Sequence, residues 1–261
     1  MSLNHSSPPD WLMPEGVDKT QWEYISNPFI AANYDASLKD NPSFTQDLAF
    51  LEKHTKKPGM ILDLGCGTGR VADFFSAKQH KVIGIDISNS MLFEAANKKI
   101  KGHHLFLKAN MLDLSGLSSN SIDYTSCLFS SFGMVLEEKH RNNMLKEVHR
   151  VLKPGGVFIL HVHNLWSAIS GYKGVSWLFC DLLSRLCSFK NFGNRLLPSH
   201  QGIIGLTLHL FTWNEIDTLL KKALFQIIEM SPLGNQCIPC TSLTMIQKIK
   251  SHGYLIACKK S

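Results

Sequence analysis

The chain has 261 residues, 44% of them hydrophobic and 18% charged, with a formal net charge of +6. That apolar content builds a sizeable core and excludes disordered, collagen-like and small disulfide-scaffold proteins, while no run approaches the ~20 uninterrupted apolar residues of a spanning helix. The mild positive charge permits an anionic ligand or RNA without requiring either, since no long Lys/Arg block is present.

In chain order, residues 1–10 read as a loose tail, with Pro8 and Pro9 discouraging regular structure. Residues 11–57 are helical and aromatic in pattern, and Pro14, Pro28 and Pro42 are expected to break them into short pieces. Pro58 and Gly59 end this region. A buried strand is expected over 60–64, followed by a glycine loop and a helix over 70–79. A second strand covers 81–86, and Ser88 is placed to cap a helix running to Asn97. Further strands are expected over 104–110 and 121–128, then a helix over 139–152 with apolar Met144, Leu145, Val148 and Val151. Residues 153–156 form a turn into a fifth strand, 157–163. Residues 164–205 interrupt the alternation. A strand at 206–211, a helix at 213–222 and strands at 225–230 and 253–259 close the chain. Strands alternating with helices predict an α/β fold with a doubly wound, mostly parallel seven-stranded sheet. Residues 1–57 form its tail and N-terminal helical cap, 58–261 the main domain, and 164–205 an inserted segment.

The seven cysteines are scattered and mostly inside apolar runs, as expected of reduced, buried thiols. The start of the chain lacks the basic and apolar parts of a secretory signal, so a cytoplasmic protein is expected. Cys237 and Cys240 make a C-x-x-C, but no second pair or suitably spaced histidines accompany them, and no metal site is assigned.

The strongest signal lies between the first strand and its helix. Gly65, Gly67 and Gly69 make a G-x-G-x-G loop, with Asp63 two residues before the first glycine. Glycine lets the backbone turn tightly and approach a ligand without an intervening Cβ. A nicotinamide dinucleotide calls for G-x-G-x-x-G instead, and a carboxylate upstream of the loop suits a cationic amino group. Asp86, ending the second strand, is placed to accept hydrogen bonds from both ribose hydroxyls of a nucleoside.

These residues resemble the class I S-adenosylmethionine-dependent methyltransferases, in the group sharing the type 11 methyltransferase domain. The resemblance covers about residues 34–259. The loop at 62–70 matches the family's first motif, 84–88 its second, 109–114 its third, 122–129 its fourth and 151–156 its fifth. It implies that S-adenosylmethionine is the cofactor and S-adenosylhomocysteine its product, with 58–261 as the methyltransferase domain. By the same resemblance Gly65, Cys66 and Gly67 approach the methionyl part, Asp63 its amino group, and Asp86 the ribose. Ile87 and Met111 flank the adenine, Asn110 stands where an acidic residue usually meets the adenine amino group, and Cys127 lies beside the sulfonium. Arg70 and Tyr34 are candidate carboxylate partners.

Methyl transfer from a sulfonium needs alignment more than covalent help, and a base serves only an acceptor with a proton to lose. His161 and His163 alternate on the fifth strand and face one side of the sheet; His163, at its C-terminal end, is the candidate base, and His161 is expected to be a packed histidine. The fourth-strand segment lacks the Pro-Pro-Tyr of amino-nitrogen enzymes, and Cys240 after Pro239 is read as a loop coincidence. The expected function is methylation of an oxygen or nitrogen on a small-molecule acceptor. Methylation of a tRNA wobble uridine and non-catalytic cofactor binding, as a sensor or partner subunit, are the alternatives. A monomer or homodimer is expected. The insertion, with Trp177, Phe179, Phe189 and Phe192 beside Lys173, Arg185, Lys190 and Arg195, is expected to be the acceptor pocket or its lid, with a dimer contact or membrane-surface patch as other readings.

Overall fold

Three short helices open the chain, each started by a residue suited to that place. In α1 (Lys19–Ser26) Asp18 and Gln21 form a reciprocal capping box. Asn27 caps α2 (Pro28–Leu38) and Asn41 caps α3 (Pro42–His54), and in both the proline occupies the first turn. Pro28 and Pro42 divide this region into short helices, as expected, and each opens the helix that follows, because the first helical position has no N–H partner to lose. A computed structural model provides the coordinates and describes residues 12–169, 193–196, 205–233 and 249–261.

Five parallel strands follow: β1 (Met60–Leu64), β2 (Lys81–Asp86), β3 (His104–Lys108), β4 (Ile122–Cys127) and β5 (Leu152–His163). Helices α4 (Arg70–Ser76), α5 (Asn89–Asn97) and α6 (Glu138–Val151) lie between them. Helix α4 stops at Ser76, short of the expected end. Lys78 and His80 both turn their N–H groups back to Phe75, and Gln79 takes a left-handed φ of 66°. Strand β5 starts earlier than expected: Ile122 pairs with Leu152 and Tyr124 with Val157, so residues 153–156 bulge from a strand already begun.

After β5 come the short pair β6 (Asn194–Leu196) and β7 (Thr207–His209), then α7 (Trp213–Lys222), β8 (Phe225–Leu233) and β9 (Gly253–Lys260). The strand expected at 206–211 is thus shorter and belongs to a separate two-stranded ribbon. The main sheet runs β3-β2-β1-β4-β5-β9-β8, with β9 antiparallel to both neighbours. Most of the expected insertion, with its aromatic and basic residues up to Phe192, lies outside the described residues, as do Cys237 and Cys240.

The sheet is covered on both faces. Met144, Leu145 and Val148 of α6 and Ile216, Leu219 and Leu220 of α7 pack on one side. Phe50 and Leu51 of α3 join Val71, Ala72 and Phe75 of α4 on the other. The cap helix α3 is therefore part of the core. Among the described residues no helix is long and apolar enough to cross a membrane. Leu51 is fully buried, so Leu51→Ala should lower the unfolding free energy by about 2–5 kcal/mol in a denaturant titration, the scale for a core leucine truncation.

Candidate active site

The order of the sheet fixes where a ligand can sit. Strand β1 lies between β2 and β4, so the connections leaving β1 and β4 cover opposite faces and open a crevice at the strands' C-terminal ends. The glycine loop fills the floor of that crevice. Gly65 and Cys66 both donate their backbone N–H to the Ile85 carbonyl, at 2.9 and 3.0 Å, which staples the loop to β2. Gly67 donates to Asp86 Oδ2 at 2.8 Å, and Ser88 donates its backbone N–H to Asp86 Oδ1 at 2.8 Å. Burial holds the Asp86 carboxyl above its ordinary range, against the opposing pull of these backbone donors.

Gly65 and Gly67 both have left-handed φ, +69° and +54°, but the space around them differs. A Cβ at Gly65 would stand 2.9 Å from Ser131 Oγ, whereas one at Gly67 would meet nothing within 4 Å. The first glycine is required by the protein's own packing. The second faces empty space.

That space is a pair of adjoining cavities. The larger encloses about 850 Å³ including its mouth, with Asp86, Ile87, Asn110 and Met111 on the sheet side and Gln21 and Tyr24 on the cap side. The smaller is lined by Asp63, Cys66, Arg70, Phe44 and Phe129. Tyr34, Gly65, Gly67 and Ser131 border both. Of the expected cofactor residues, Cys127 alone lines neither cavity. It is fully buried among the core side chains packed on β4, where burial pushes its thiol well up. Burial likewise raises the Cys66 thiol, helped by Asp86 and Asp63.

The smaller cavity carries the sharper electrostatics. Asp63 is buried, accepts a hydrogen bond from Ser126 Oγ at 2.7 Å, and is pushed up to about 6 by desolvation. Arg70 is 17% exposed in its side chain and does not project into solvent from its first helical turn. It lies 3.9 Å over the Phe44 ring, donates to the Phe44 carbonyl at 2.8 Å, and pairs with Asp47 at 3.3 Å. A negative group and a positive group thus face one small chamber, an arrangement that suits a zwitterionic α-amino acid end.

Asn110 departs from its expected role. Its amide donates to the Glu15 carbonyl at 2.9 Å and its oxygen accepts from Leu112 N–H at 3.0 Å, so the side chain ties the cap to the loop after β3. His161 is a packed histidine, 1% exposed, with Nδ1 2.7 Å from Asp47 Oδ1; its partner is a carboxylate. His163 is half-buried at the end of β5, its ring centroid 6.5 Å from that of Phe129, and it lines neither cavity. Asn164 beside it is fully buried, with its amide on the Ser251 carbonyl at 2.7 Å.

Sequence reading missed Asp47, Gln21 and Tyr24. Asp47 had a visible signal: it shares the inward face of α3 with Ser43, Phe50 and Leu51, an apolar stripe where an ionised side chain needs a partner. Gln21 and Tyr24 reach the site through the cap's docking, where Gln21 Nε2 donates to the Met134 carbonyl at 2.7 Å.

A methyltransferase-domain family model matches residues 61–156, from within β1 to the glycine bulge of β5. Those residues carry a methyltransferase domain, of the class I S-adenosylmethionine-dependent group. YqeM of Bacillus subtilis, a provisionally assigned methyltransferase, is 31% identical over 136 residues, covering 52% of this chain and 54% of YqeM. The ubiquinone/menaquinone biosynthesis C-methyltransferase UbiE of Neisseria meningitidis is 28% identical over 138 residues, covering 51% and 55% of the two chains. The chain therefore spans about half the length of these curated relatives. Among solved structures, an S-adenosylmethionine-dependent methyltransferase of Methanosarcina mazei has a TM-score of 0.58 at 24% identity, covering 78% of this chain and 92% of its own. The 1,6-didemethyltoxoflavin-N1-methyltransferase of Burkholderia thailandensis, with 1,6-didemethyltoxoflavin and S-adenosylhomocysteine bound, gives 0.60 at 16% identity, covering 89% and 85%. Both share the fold.

The two glycines give separable outcomes. Gly67→Ala should fold with a loss of roughly 1–2 kcal/mol from its left-handed backbone, yet fail to bind S-adenosylhomocysteine in calorimetry. Gly65→Ala should melt at a lower temperature than Gly67→Ala, because its added methyl also collides with Ser131.

Proposed function

We propose that the protein binds S-adenosylmethionine across the two cavities and methylates an oxygen or nitrogen of a small-molecule acceptor. In this reading 58–261 is the catalytic domain, 1–57 its tail and cap, and the enzyme works in the cytoplasm as a monomer or homodimer. The observation that carries it is the open space over Gly67, with Asp86 behind it and Asp63 and Arg70 to one side. The cofactor supplies a methyl group on a sulfonium, whose departure leaves a neutral thioether.

Each residue then has a task its position allows. Asp86 retains lone pairs beyond those engaged by Gly67 and Ser88, and accepts the ribose hydroxyls. Ile87 and Met111 wall the adenine, and Asn110 keeps the cap closed over it. Asp63 accepts from the ammonium group, and Arg70, with Tyr34 beside it, donates to the carboxylate. Phe44 and Phe129, 5.2 Å apart edge to face, wall the amino-acid chamber and keep water out. The cap's closure over both cavities favours a small acceptor over a polymer. His163 is the base of this reading, taking a proton from an acceptor that approaches on the far side of the Phe129 ring.

Affinity for S-adenosylhomocysteine should depend on Asp63. A cationic ammonium binds its ionised form, so affinity should be level above pH 7 and fall as pH drops through about 6. Calorimetry across pH 5–8 checks this, and Asp63→Asn should flatten the profile. A wild-type protein that does not bind S-adenosylhomocysteine at any pH overturns the proposed function.

His163→Ala should leave S-adenosylhomocysteine affinity unchanged and lower turnover by about 100-fold, the range of one acid–base group. The acceptor for that assay comes from incubating the protein and labelled cofactor with cell extract, separated into RNA and small-molecule fractions. Label in the RNA fraction alone would refute a small acceptor, and unchanged turnover in the variant would remove His163 from the mechanism.

A further inference from the structure

Asp47 is a cap residue on α3, yet it is the most heavily bonded carboxylate near the site. It is fully buried. Its Oδ2 accepts from Arg70 Nη2 at 3.3 Å and from the Phe129 backbone N–H at 3.1 Å, and its Oδ1 stands 2.7 Å from His161 Nδ1. Those three partners come from α4, the turn after β4, and β5. Burial alone would raise this carboxyl, but His161 and Arg70 outweigh it and hold the group below its ordinary range. It is therefore an ionised acceptor in the resting protein.

The turn it grips is strained. Phe129 and Ser130 are consecutive non-glycine residues at left-handed φ of 51° and 63°, a conformation that side chains adopt only where their surroundings enforce it. Asp47 takes the Phe129 N–H, Ser130 N–H goes to the His161 carbonyl at 3.1 Å, and Ser130 Oγ accepts from His163 N–H at 3.2 Å. The outcome is a Phe129 ring placed in the wall of the small cavity, 5.9 Å from the Arg70 guanidinium. Arg70 itself is clasped by one turn of α3, with Phe44 supplying a carbonyl and a ring face and Asp47 the charge. Free, that long side chain would sample many rotamers. Clasped, it has little left to lose on meeting a ligand.

We propose that Asp47 is the positioning residue of the amino-acid chamber, presenting the Arg70 guanidinium and the Phe129 wall to the carboxylate end of the bound cofactor. This rests on the cofactor reading above, and it adds that the cap, through one buried carboxylate, sets affinity for the cofactor's tail. The nucleoside cavity does not depend on it, since Asp86, Ile87 and Met111 are held by other contacts.

Two ligands separate these effects. S-adenosylhomocysteine carries the amino-acid tail, while 5′-methylthioadenosine keeps the nucleoside and thioether and lacks the tail. In calorimetry on the full chain, Asp47→Asn should weaken S-adenosylhomocysteine roughly 10-fold, the scale of a lost charged hydrogen bond, and leave methylthioadenosine unchanged within about 2-fold. In an Arg70→Ala background the same change should cost less affinity than in the wild type, because Asp47 acts in part through Arg70. If Asp47→Asn melts below the assay temperature, Asp47→Glu, which keeps the charge but displaces it, carries the same selective expectation. Equal weakening of both ligands, or additive losses in the double variant, overturns the proposal and leaves Asp47 a purely structural acid. Wild-type protein that binds neither ligand overturns the cofactor reading instead, and this inference with it.

Discussion

The reversal of winding beside β1 is the constraint from which the site follows. Parallel pairing puts Leu64 opposite Ile85, so the chain leaving β1 emerges beside the last residues of β2. The Ile85 carbonyl is then in reach of two successive loop N–H groups, and Asp86 of a third. On the other flank β4 ends level with Asp63, whose pairing with Ser126 brings a hydroxyl to its carboxylate. The crevice is thus floored by backbone and bordered by carboxylates before any cap residue arrives.

Three buried or half-buried carboxylates meet there, and each is treated differently. Asp47 is paired with Arg70 and lies within hydrogen-bond distance of His161. Asp86 has no ion-pair partner among the described residues but receives backbone donors, which soften its desolvation without cancelling it. Asp63 has a single serine hydroxyl at hand and Arg70 at longer range, with the other two acids opposing its ionisation. Burial is most weakly compensated at Asp63. A buried acid in that condition either stays protonated or waits for a cation, and the neighbouring cavity gives a ligand's ammonium room to be that cation.

Much of this was legible in the sequence. The glycine loop, the carboxylate ending β2, and the Ser88 cap are local signals, read within a few residues of one another, and the structure sets them around one pair of cavities. Pro28 and Pro42 were read as breaks between short helices, which they are, but the letter alone does not say that each opens the next helix. The preceding Asn27 and Asn41 decide the matter, and both were visible. Cys127, the last residue of β4, is fully buried in the core and lines neither cavity, a packing outcome that its place at a strand end does not reveal. Asn110 and Asp47 depend on contacts 95 and 114 positions away along the chain. No local pattern encodes such distances; a polar residue on an otherwise apolar helix face was the only trace.

The manner in which the domain holds its cap has an evolutionary side. Ser88 donates to the Ile25 carbonyl, Asn110 to the Glu15 carbonyl and Arg70 to the Phe44 carbonyl. In each bond the domain supplies a side chain and the cap supplies main chain. Every residue type carries that carbonyl, so substitutions at 15, 25 and 44 leave these fastenings in place while changing the surface turned toward the ligand. At these three positions the cap can change side chain and keep its fastening, whereas Gln21 and Asp47, which hold the domain through their own side chains, have no such freedom.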